Sequence, residues 1–384
     1  MNNFSFHNPT RIEFGQGQIA QLSQLLPANA RVLLLYGGGS IKRNGAYSQI
    51  IAALGERVCH EFGGIEPNPE YETLLRAVAL ARQEKLDYIV AAGGGSVIDG
   101  AKFVAAAVPH QGDPWLIIGN RTPLQSALPI AAVLTLPATG SESNFAAVIT
   151  RRATQDKLSF KNPLVFPQLA ILDPTLTYSL PARQVGNGVV DAFVHTTEQY
   201  LTYPNEARVQ DRLAEGILQT LIEIGPQTLA EPTDYAARAN LMWAANQALY
   251  GMVGLGQPQD WATHAMGHEL TMLFGLDHAQ TLAIVLPALW RYRLASKMAK
   301  LAQYGRRVWG LSGEDAVVAV AAIERTEAFF TQMGLPCHLS AYQLDAQTAA
   351  DGVAQQLIRH QRTRLGEAQD LSPEDCRAIL ITAA

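Results

Sequence analysis

A unit of apolar strand, glycine-rich turn and helix occurs twice in the first hundred residues, and this unit constrains the fold more than any other feature. In the first copy an apolar run at 32–36 precedes Gly-Gly-Gly-Ser at 37–40 and a helical pattern that reaches residue 54. In the second copy a run at 87–92 precedes the same turn at 93–96 and a helical stretch to 108. Strands that are apolar on both faces and alternate with helices are typical of a parallel sheet covered on both sides. The sequence therefore predicts a doubly wound α/β domain.

The sequence pattern changes near residue 180. A third apolar strand at 129–136 leads into a turn at 137–143, but from Pro181 onward amphipathic helical patterns, such as 207–224 and 235–250, replace the strands. We expect an N-terminal α/β domain over residues 1–180 and a C-terminal all-helical domain over residues 181–384. A chain of 384 residues, 48% of them hydrophobic, is large enough to form both cores.

Charge, hydropathy and cysteine content exclude several classes of protein. A formal net charge of −5 leaves no basic stripe for a phosphate backbone, so nucleic acid is not an expected partner. The first residues have neither the cationic nor the apolar part of a signal peptide, and no apolar run is long enough to span a membrane. The three cysteines are far apart and form no CxxC pair, which suits a reducing compartment. We expect a cytoplasmic protein with no membrane partner.

Each glycine-rich turn is a candidate phosphate-binding site. Glycine lets the backbone approach a ligand closely, and the helix that follows offers free N–H groups and the positive end of its dipole. The turn at 93–96 has the clearer strand and helix around it, although it is not the GxGxxG dinucleotide pattern. In the alternative interpretation the glycines only relieve crowding between helix and strand. Two such turns in one sheet favour a Rossmann-like dinucleotide domain.

The end of the first strand indicates which dinucleotide binds. An acidic residue there would bond the ribose 2′-hydroxyl and repel a 2′-phosphate, but this chain has Gly39 and Ser40. Lys42 and Arg43 follow, and their cations favour a phosphate. Alternatively, the two cations simply form a solvated helix surface. We predict NADP(H) rather than NAD(H), with Lys42 among the binding residues.

Acidic and histidine side chains in the second half have the spacing of metal ligands. Asp191 and His195 are four residues apart and so share one helix face; His264 and His268 have the same spacing, and His278 follows. Imidazole and carboxylate groups suit a divalent transition metal, and one Asp with three His leaves a position for a substrate oxygen. A single histidine on an apolar face is more often an ordinary core residue. Two spaced pairs together favour a metal site.

Two other classes of function compete with a cofactor-dependent enzyme. The pair His268-Glu269 begins the HExxH pattern of zinc metallohydrolases, but the pattern fails at Met272 and no G-x-S-x-G nucleophile motif is present. A binding or scaffold protein without catalytic activity would leave the metal ligands unexplained. The combination of motifs favours an oxidoreductase.

Four features of the sequence together carry a resemblance to a known family. They are the GGGS turn at 93–96, the segment TLPATGSESN at 135–144, Asp191 with His195, and the helix of His264 and His268 followed by His278. The sequence resembles the iron-containing, or group III, alcohol dehydrogenases, most closely their NADPH-dependent butanol dehydrogenase and aldehyde reductase branch. The likeness extends from the opening FxFHNPTRIEFG segment to the helical second half.

The resemblance implies a role for individual residues of this chain. One divalent ion, zinc or iron, would be held by Asp191, His195, His264 and His278. His268 would not be a ligand but would lie near the substrate and assist proton transfer. The implied cofactor contacts are Gly93, Gly94, Gly95, Ser96 and Asp99 at the pyrophosphate, Thr135, Thr139 and Ser141 at the nicotinamide half, Gly37, Gly38, Gly39 and Ser40 on the 2′-phosphate side, and Lys157 in the same cleft.

The resemblance also implies the reaction. It predicts hydride transfer between NADP(H) and primary alcohol and aldehyde pairs by a homodimer that works mainly as a broad-specificity aldehyde reductase. The alternative is an NAD-dependent polyol dehydrogenase of the same superfamily, which Gly39 disfavours because NAD-preferring relatives carry Asp there. The sequence leaves open the physiological aldehyde, the native metal, and whether His268, a water or a ribose hydroxyl supplies the proton.

Overall fold

The computed structural model describes all 384 residues, which form two compact units. The sheet unit comprises residues 7–180 and 232–246, and the helical unit comprises residues 1–6, 181–231 and 247–384. The predicted fold class, a Rossmann-like α/β domain with a helical C-terminal domain, is confirmed. The main division lies between Leu180 and Pro181. Two short segments depart from it: residues 1–6 group with the helical unit, and residues 232–246 group with the sheet unit. The domain bounds 1–180 and 181–384 stay a prediction.

The sheet unit is built on six parallel strands in the order β1-β8-β5-β4-β2-β3. A separate antiparallel pair, β6 with β7, was not part of the predicted pattern. The strands are β1 (Arg11–Phe14), β2 (Val32–Tyr36), β3 (Cys59–Phe62), β4 (Tyr88–Gly94), β5 (Ile130–Leu136), β6 (Ala146–Arg151), β7 (Asp156–Lys161) and β8 (Leu169–Leu172).

Thirteen α-helices complete the fold. They are α1 (Leu22–Leu25), α2 (Ala46–Leu54), α3 (Tyr71–Gln83), α4 (Gly95–Ala107), α5 (Ala182–Tyr200), α6 (Arg208–Ala230), α7 (Tyr235–Ala248), α8 (Ala262–Phe274), α9 (His278–Tyr292), α10 (Leu294–Val308), α11 (Asp315–Gln332), α12 (Ala346–Arg359) and α13 (Pro373–Ile381). None of them combines the length and the apolar character needed to cross a bilayer.

Both faces of the parallel sheet are buried along its inner strands, which explains why β2, β4, β5 and β8 are apolar at nearly every position, whereas the edge strands β1 and β3 are partly exposed and carry charged residues. Successive side chains of a strand point to opposite faces. In β2, Leu33 joins a core with Leu74 of α3, whereas Leu34 joins a second core with Ile50 of α2. Helices therefore cover the sheet from two sides, as the alternating pattern predicts.

The order of the strands brings the three predicted turns to one edge of the sheet. Strands β5, β4 and β2 are neighbours and run parallel, so their carboxyl ends lie side by side. The turns that follow them are 37–40 after β2, 93–96 after β4 and 137–143 after β5. A ligand at this edge can contact all three turns.

In the helical unit, the break between α8 and α9 has a clear local cause. Gly275 ends α8 in the left-handed region, with φ 70°, which is favourable for glycine alone. Asp277 then starts α9 through a reciprocal capping box with Gln280. The two helices are thereby forced to turn within three residues, and His278 becomes the first residue of α9.

Candidate active site

Three helices bring the four predicted metal ligands together around one carboxylate oxygen. Helix α5 carries Asp191 and His195, α8 carries His264, and α9 begins with His278. The Oδ1 atom of Asp191 lies 3.8 Å from His195 Nδ1, 3.9 Å from His264 Nε2 and 3.8 Å from His278 Nε2. The ligand atoms of the first three residues all lie within 4.8 Å of one another.

The chemistry and spacing of this cluster fit a divalent metal ion. Because each nitrogen or oxygen ligand lies about 2.0–2.2 Å from the ion, two ligands of one ion are at most about 4.4 Å apart. The side chain of Asp191 is buried, yet its Oδ1 accepts no hydrogen bond. A buried charge of this kind requires a compensating partner, and a divalent cation among three imidazoles would supply it.

A buried carboxylate behind the cluster orients one of the ligands. Glu198 is 2% exposed; it accepts a hydrogen bond from the backbone N–H of His264 at 3.2 Å and contacts Nδ1 of the same ring. Such a contact fixes the ring and leaves Nε2 on the side of Asp191, 3.9 Å from its Oδ1. Burial, with the nearby charge of Asp260, raises the pKa of Glu198 well above its usual range. Glu198 was not among the residues predicted from the sequence, although it lies three residues after His195 on the same helix face.

His268 lies beside the cluster, one turn after His264 on α8. Its ring centroid is 5.1 Å from that of His278 and 6.0 Å from that of His264, and the side chain is buried. These distances place His268 next to two of the predicted ligands. Its predicted role in proton transfer stays a prediction.

The two glycine turns differ in what surrounds them. An added Cβ at Gly38 or Gly39 would meet no atom within 4 Å, and Gly39 has a φ of 86°. By contrast, a Cβ at Gly95 would lie 2.5 Å from Thr139 Oγ1. At Gly38 and Gly39 the turn after β2 therefore has open space beside its backbone, as a bound ligand requires. At Gly95 glycine also relieves crowding, as in the alternative interpretation, because the start of α4 contacts the turn after β5 at Thr139.

A buried polar network links α4 to the turn after β5. Asp99 accepts hydrogen bonds from Ser141 Oγ at 2.5 Å and from the backbone N–H of Val148 at 2.9 Å. Lys102, fully buried, donates to Ser141 Oγ at 2.8 Å and to Asn144 Oδ1 at 2.9 Å. Burial lowers the pKa of Lys102 to about 8 and raises that of Asp99. Asp99 therefore positions the turn that carries Thr139 and Ser141.

Two further residues of this network, Lys102 and Asn246, were not predicted from the sequence. Lys102 follows Asp99 by three residues on one helix face, so its spacing was a usable signal. Asn246, at the end of α7, donates to Glu142 Oε1 and to Ser143 Oγ, both at 2.8 Å. No sequence pattern connects Asn246 with a turn about a hundred residues earlier.

The predicted cofactor lysines occupy different environments. Lys42 lies near the open turn, with Nζ 3.4 Å from Glu61 and 4.7 Å from the ring centroid of Tyr47. Tyr47 donates to Glu61 at 2.5 Å, and this hydrogen bond lowers the pKa of the carboxyl group. Lys157, on β7, is buried; burial raises the pKa of Asp99, and the charge of Lys157 is the weakest of the effects that oppose this rise.

Comparison with known proteins identifies the family. Residues 9–174 match the model of the iron-containing alcohol dehydrogenases, and residues 186–384 match that of the family's C-terminal domain. The chain belongs to the iron-containing alcohol dehydrogenase family. The predicted resemblance and the predicted enzyme class, an alcohol dehydrogenase or aldehyde reductase, are therefore confirmed.

Individual relatives of this alcohol dehydrogenase match over nearly its whole length. The chain is 56% identical to the NADPH-dependent aldehyde reductase YqhD of Escherichia coli K12, over 99% of each chain. It is 36% identical to the NADH-dependent butanol dehydrogenase A of Clostridium acetobutylicum, again over 99% of each. The crystal structure of E. coli K-12 YqhD superposes with a TM-score of 0.98 at 54% identity, covering 100% of this chain and 99% of the other.

Proposed function

We propose that this alcohol dehydrogenase reduces aldehydes to primary alcohols with NADPH, using one divalent metal ion held by Asp191, His195, His264 and His278. The observation that carries the proposal is the buried Asp191 Oδ1, which has three imidazole nitrogens within 3.8–3.9 Å. The identity of 56% to a relative named as an NADPH-dependent aldehyde reductase supports both the substrate class and the cofactor.

The bound ion, Zn²⁺ or Fe²⁺, would act as a Lewis acid on the aldehyde oxygen, so that the carbonyl carbon accepts a hydride more readily. Asp191 would supply a negative charge to the site, and the three histidines would bind as neutral imidazoles. Glu198 would hold His264 in the required orientation. The protein thus contributes a rigid, largely buried set of ligands.

The cofactor would bind at the edge where β2, β4 and β5 end. We propose that the turn at Gly93, Gly94, Gly95 and Ser96 binds the pyrophosphate through the free N–H groups of the first turn of α4. The open turn at Gly37, Gly38, Gly39 and Ser40 would receive the 2′-phosphate side, with Lys42 nearby. The remaining proposed contacts are Thr135, Thr139 and Ser141 at the nicotinamide half, with Asp99 and Lys157 close by.

The product alcohol requires a proton, for which His268 is the proposed source. Its ring lies beside two of the proposed ligands in the helical unit. A water or a ribose hydroxyl remains the alternative source. A general acid of this kind contributes about 10²–10⁴-fold to turnover.

Two alternative functions are less well supported. An NAD-dependent polyol dehydrogenase would share the metal site, but an acidic residue is expected at the end of β2, where Gly39 stands. A metallohydrolase would use Glu269 as its base; this side chain is fully buried and bonded to His360 Nδ1 at 2.9 Å. The glycine turns also have no role in a hydrolase.

We further propose that the enzyme is a cytoplasmic homodimer. The three cysteines form no disulfide, which suits a reducing compartment. Strand β1 is an edge strand, and Phe14 is 38% exposed there in contact with Trp243, which is 44% exposed. Exposed aromatic side chains beside an unpaired strand edge favour association with a second copy. Light scattering of the purified protein measures the mass of the particle in solution, and the proposal predicts the mass of two chains.

The test of the reaction is a steady-state comparison of butyraldehyde reduction with NADPH and with NADH. We expect a higher kcat/KM with NADPH, because the open turn and Lys42 favour the 2′-phosphate. An equal or higher kcat/KM with NADH would refute the cofactor assignment. No aldehyde reduction with either cofactor by protein that contains metal would refute the function.

A further inference from the structure

A buried ion cluster joins two of the helices that carry the proposed metal ligands. Lys297 on α10 is 1% exposed, and its Nζ donates to the carbonyl oxygen of Leu201 at 2.7 Å. The same ammonium group lies 3.0 Å from Asp260 Oδ2 and 2.6 Å from Glu367 Oε1. Leu201 caps the end of α5, and Asp260 stands two residues before α8. Lys297 therefore connects the end of one ligand-bearing helix with the start of another.

Asp260 transmits this connection to a metal ligand. Its backbone N–H donates to the carbonyl oxygen of Glu198 at 2.7 Å, and its Oδ1 accepts from the N–H of Ala262, the first residue of α8, at 2.9 Å. His264 follows two residues later and is held by the side chain of Glu198. The position of Asp260 thus fixes where α8 begins relative to α5.

We propose that Lys297 is a positioning residue that sets the metal affinity of the enzyme without touching the ion. The proposal rests on the proposed function, because it takes the four ligands as given there. Lys297 pairs directly with Asp260 and Glu367, whose side chains are 4% and 7% exposed. Without Lys297, these buried carboxylates would keep only the charge of Arg293, which itself pairs with Asp370, and they would move toward water or toward another partner. The start of α8, and His264 with it, would shift.

A purely structural role would give a different result, and the chain contains a matched control for it. Lys300 lies three residues further along α10, is 3% exposed, and pairs with Asp211 at 2.8 Å. Asp211 belongs to α6, which carries no proposed ligand. Lys300 also lies over the ring of Tyr200 at the end of α5, 4.4 Å from its centroid. Loss of either lysine therefore removes a buried ion pair next to α5, but only Lys297 connects α5 with the start of α8.

The experiment measures the Zn²⁺ dissociation constant of the full-length apoprotein by competition with a chromophoric chelator, together with the melting temperature. In Lys297→Met we expect affinity to fall by about tenfold or more, the range found for residues behind metal ligands. Lys300→Met should have a lower melting temperature than the wild type but the same affinity for Zn²⁺. Glu367→Gln, which retains the contacts of Lys297 with Leu201 and Asp260, should also bind normally.

Wild-type Zn²⁺ affinity in Lys297→Met would overturn the proposal, and so would equal losses of affinity in Lys297→Met and Lys300→Met. If Lys297→Met does not fold, Asp260→Asn decides, since it retains the acceptor for Ala262 and removes only the charge that Lys297 pairs with. Unchanged affinity in Asp260→Asn would then overturn the proposal. A wild-type chain that binds no Zn²⁺ or Fe²⁺ would instead refute the proposed function, and the positioning role with it.

Discussion

Replacing Gly38 with alanine tests whether the open turn after β2 receives the cofactor. A Cβ at Gly38 would meet no protein atom within 4 Å, and the backbone there does not require glycine. Folding should therefore be unaffected or slightly favoured, because alanine reduces the entropy of the unfolded chain. A bound cofactor would be the only neighbour of the new methyl group. Overpacking by one methyl group costs about 1–3 kcal/mol, which corresponds to about 5- to 150-fold weaker binding.

The assay is the KM for NADPH and for NADH, with the melting temperature of each variant. We expect Gly38→Ala to raise the KM for NADPH by a larger factor than the KM for NADH. The melting temperature should be unchanged. Gly216→Ala is the matched control, since its Cβ also meets nothing within 4 Å and the site is an exposed position of α6. Unchanged KM values for both cofactors in folded Gly38→Ala would refute the placement of the cofactor at this turn.

The surroundings of His268, Glu61, Lys102 and Gly186 each give a measurable expected outcome. His268→Ala should keep its metal, measured by elemental analysis, and lose about 10²–10⁴-fold in kcat; loss of the metal would make His268 a ligand. Glu61→Gln frees Lys42 from an exposed ion pair, so the ratio of kcat/KM for NADPH to that for NADH should rise about two- to fivefold, and an unchanged ratio would contradict this. Burial lowers the pKa of Lys102 from 10.5 to about 8 in the folded chain, so between these two values the unfolded chain binds up to one more proton than the folded chain. Urea unfolding should therefore show the wild type gaining stability relative to Lys102→Met between pH 8 and about pH 10, and a constant difference would argue against it. Gly186→Ala places a Cβ 2.2 Å from a backbone carbonyl oxygen and should lower the free energy of unfolding by about 1–3 kcal/mol, and wild-type stability would show that the helix adjusts.

The features that could be predicted from sequence are those set by local periodicity. Strand β2 is apolar at each position because helices cover both faces of the sheet, and that pattern is visible without coordinates. The spacing of Asp191 and His195 predicts one helix face, and both lie on α5. The left-handed Gly275 likewise marks the end of α8. In each case the information lies within a few residues of the chain.

The features that could not be predicted depend on contacts between distant segments. Lys297 reads as one more lysine of an amphipathic helix, yet it is 1% exposed because Asp260 and Glu367 converge on it. The bonds of Asn246 to the turn after β5 span about a hundred residues. Glu198 is a different case: its helical spacing from His195 was available, but acidic residues on helices are usually solvent-exposed, so spacing alone did not identify it.

The measurement that tests the central claim most directly is aldehyde reduction by NADPH before and after removal of the metal. Purified enzyme would be assayed with butyraldehyde as isolated, after treatment with a chelator, and after addition of Zn²⁺ or Fe²⁺, with the metal content determined each time. We predict that activity disappears with the metal and returns when about one ion per chain is restored, the occupancy expected of a single four-ligand site. Full aldehyde reduction by metal-free protein would contradict the account.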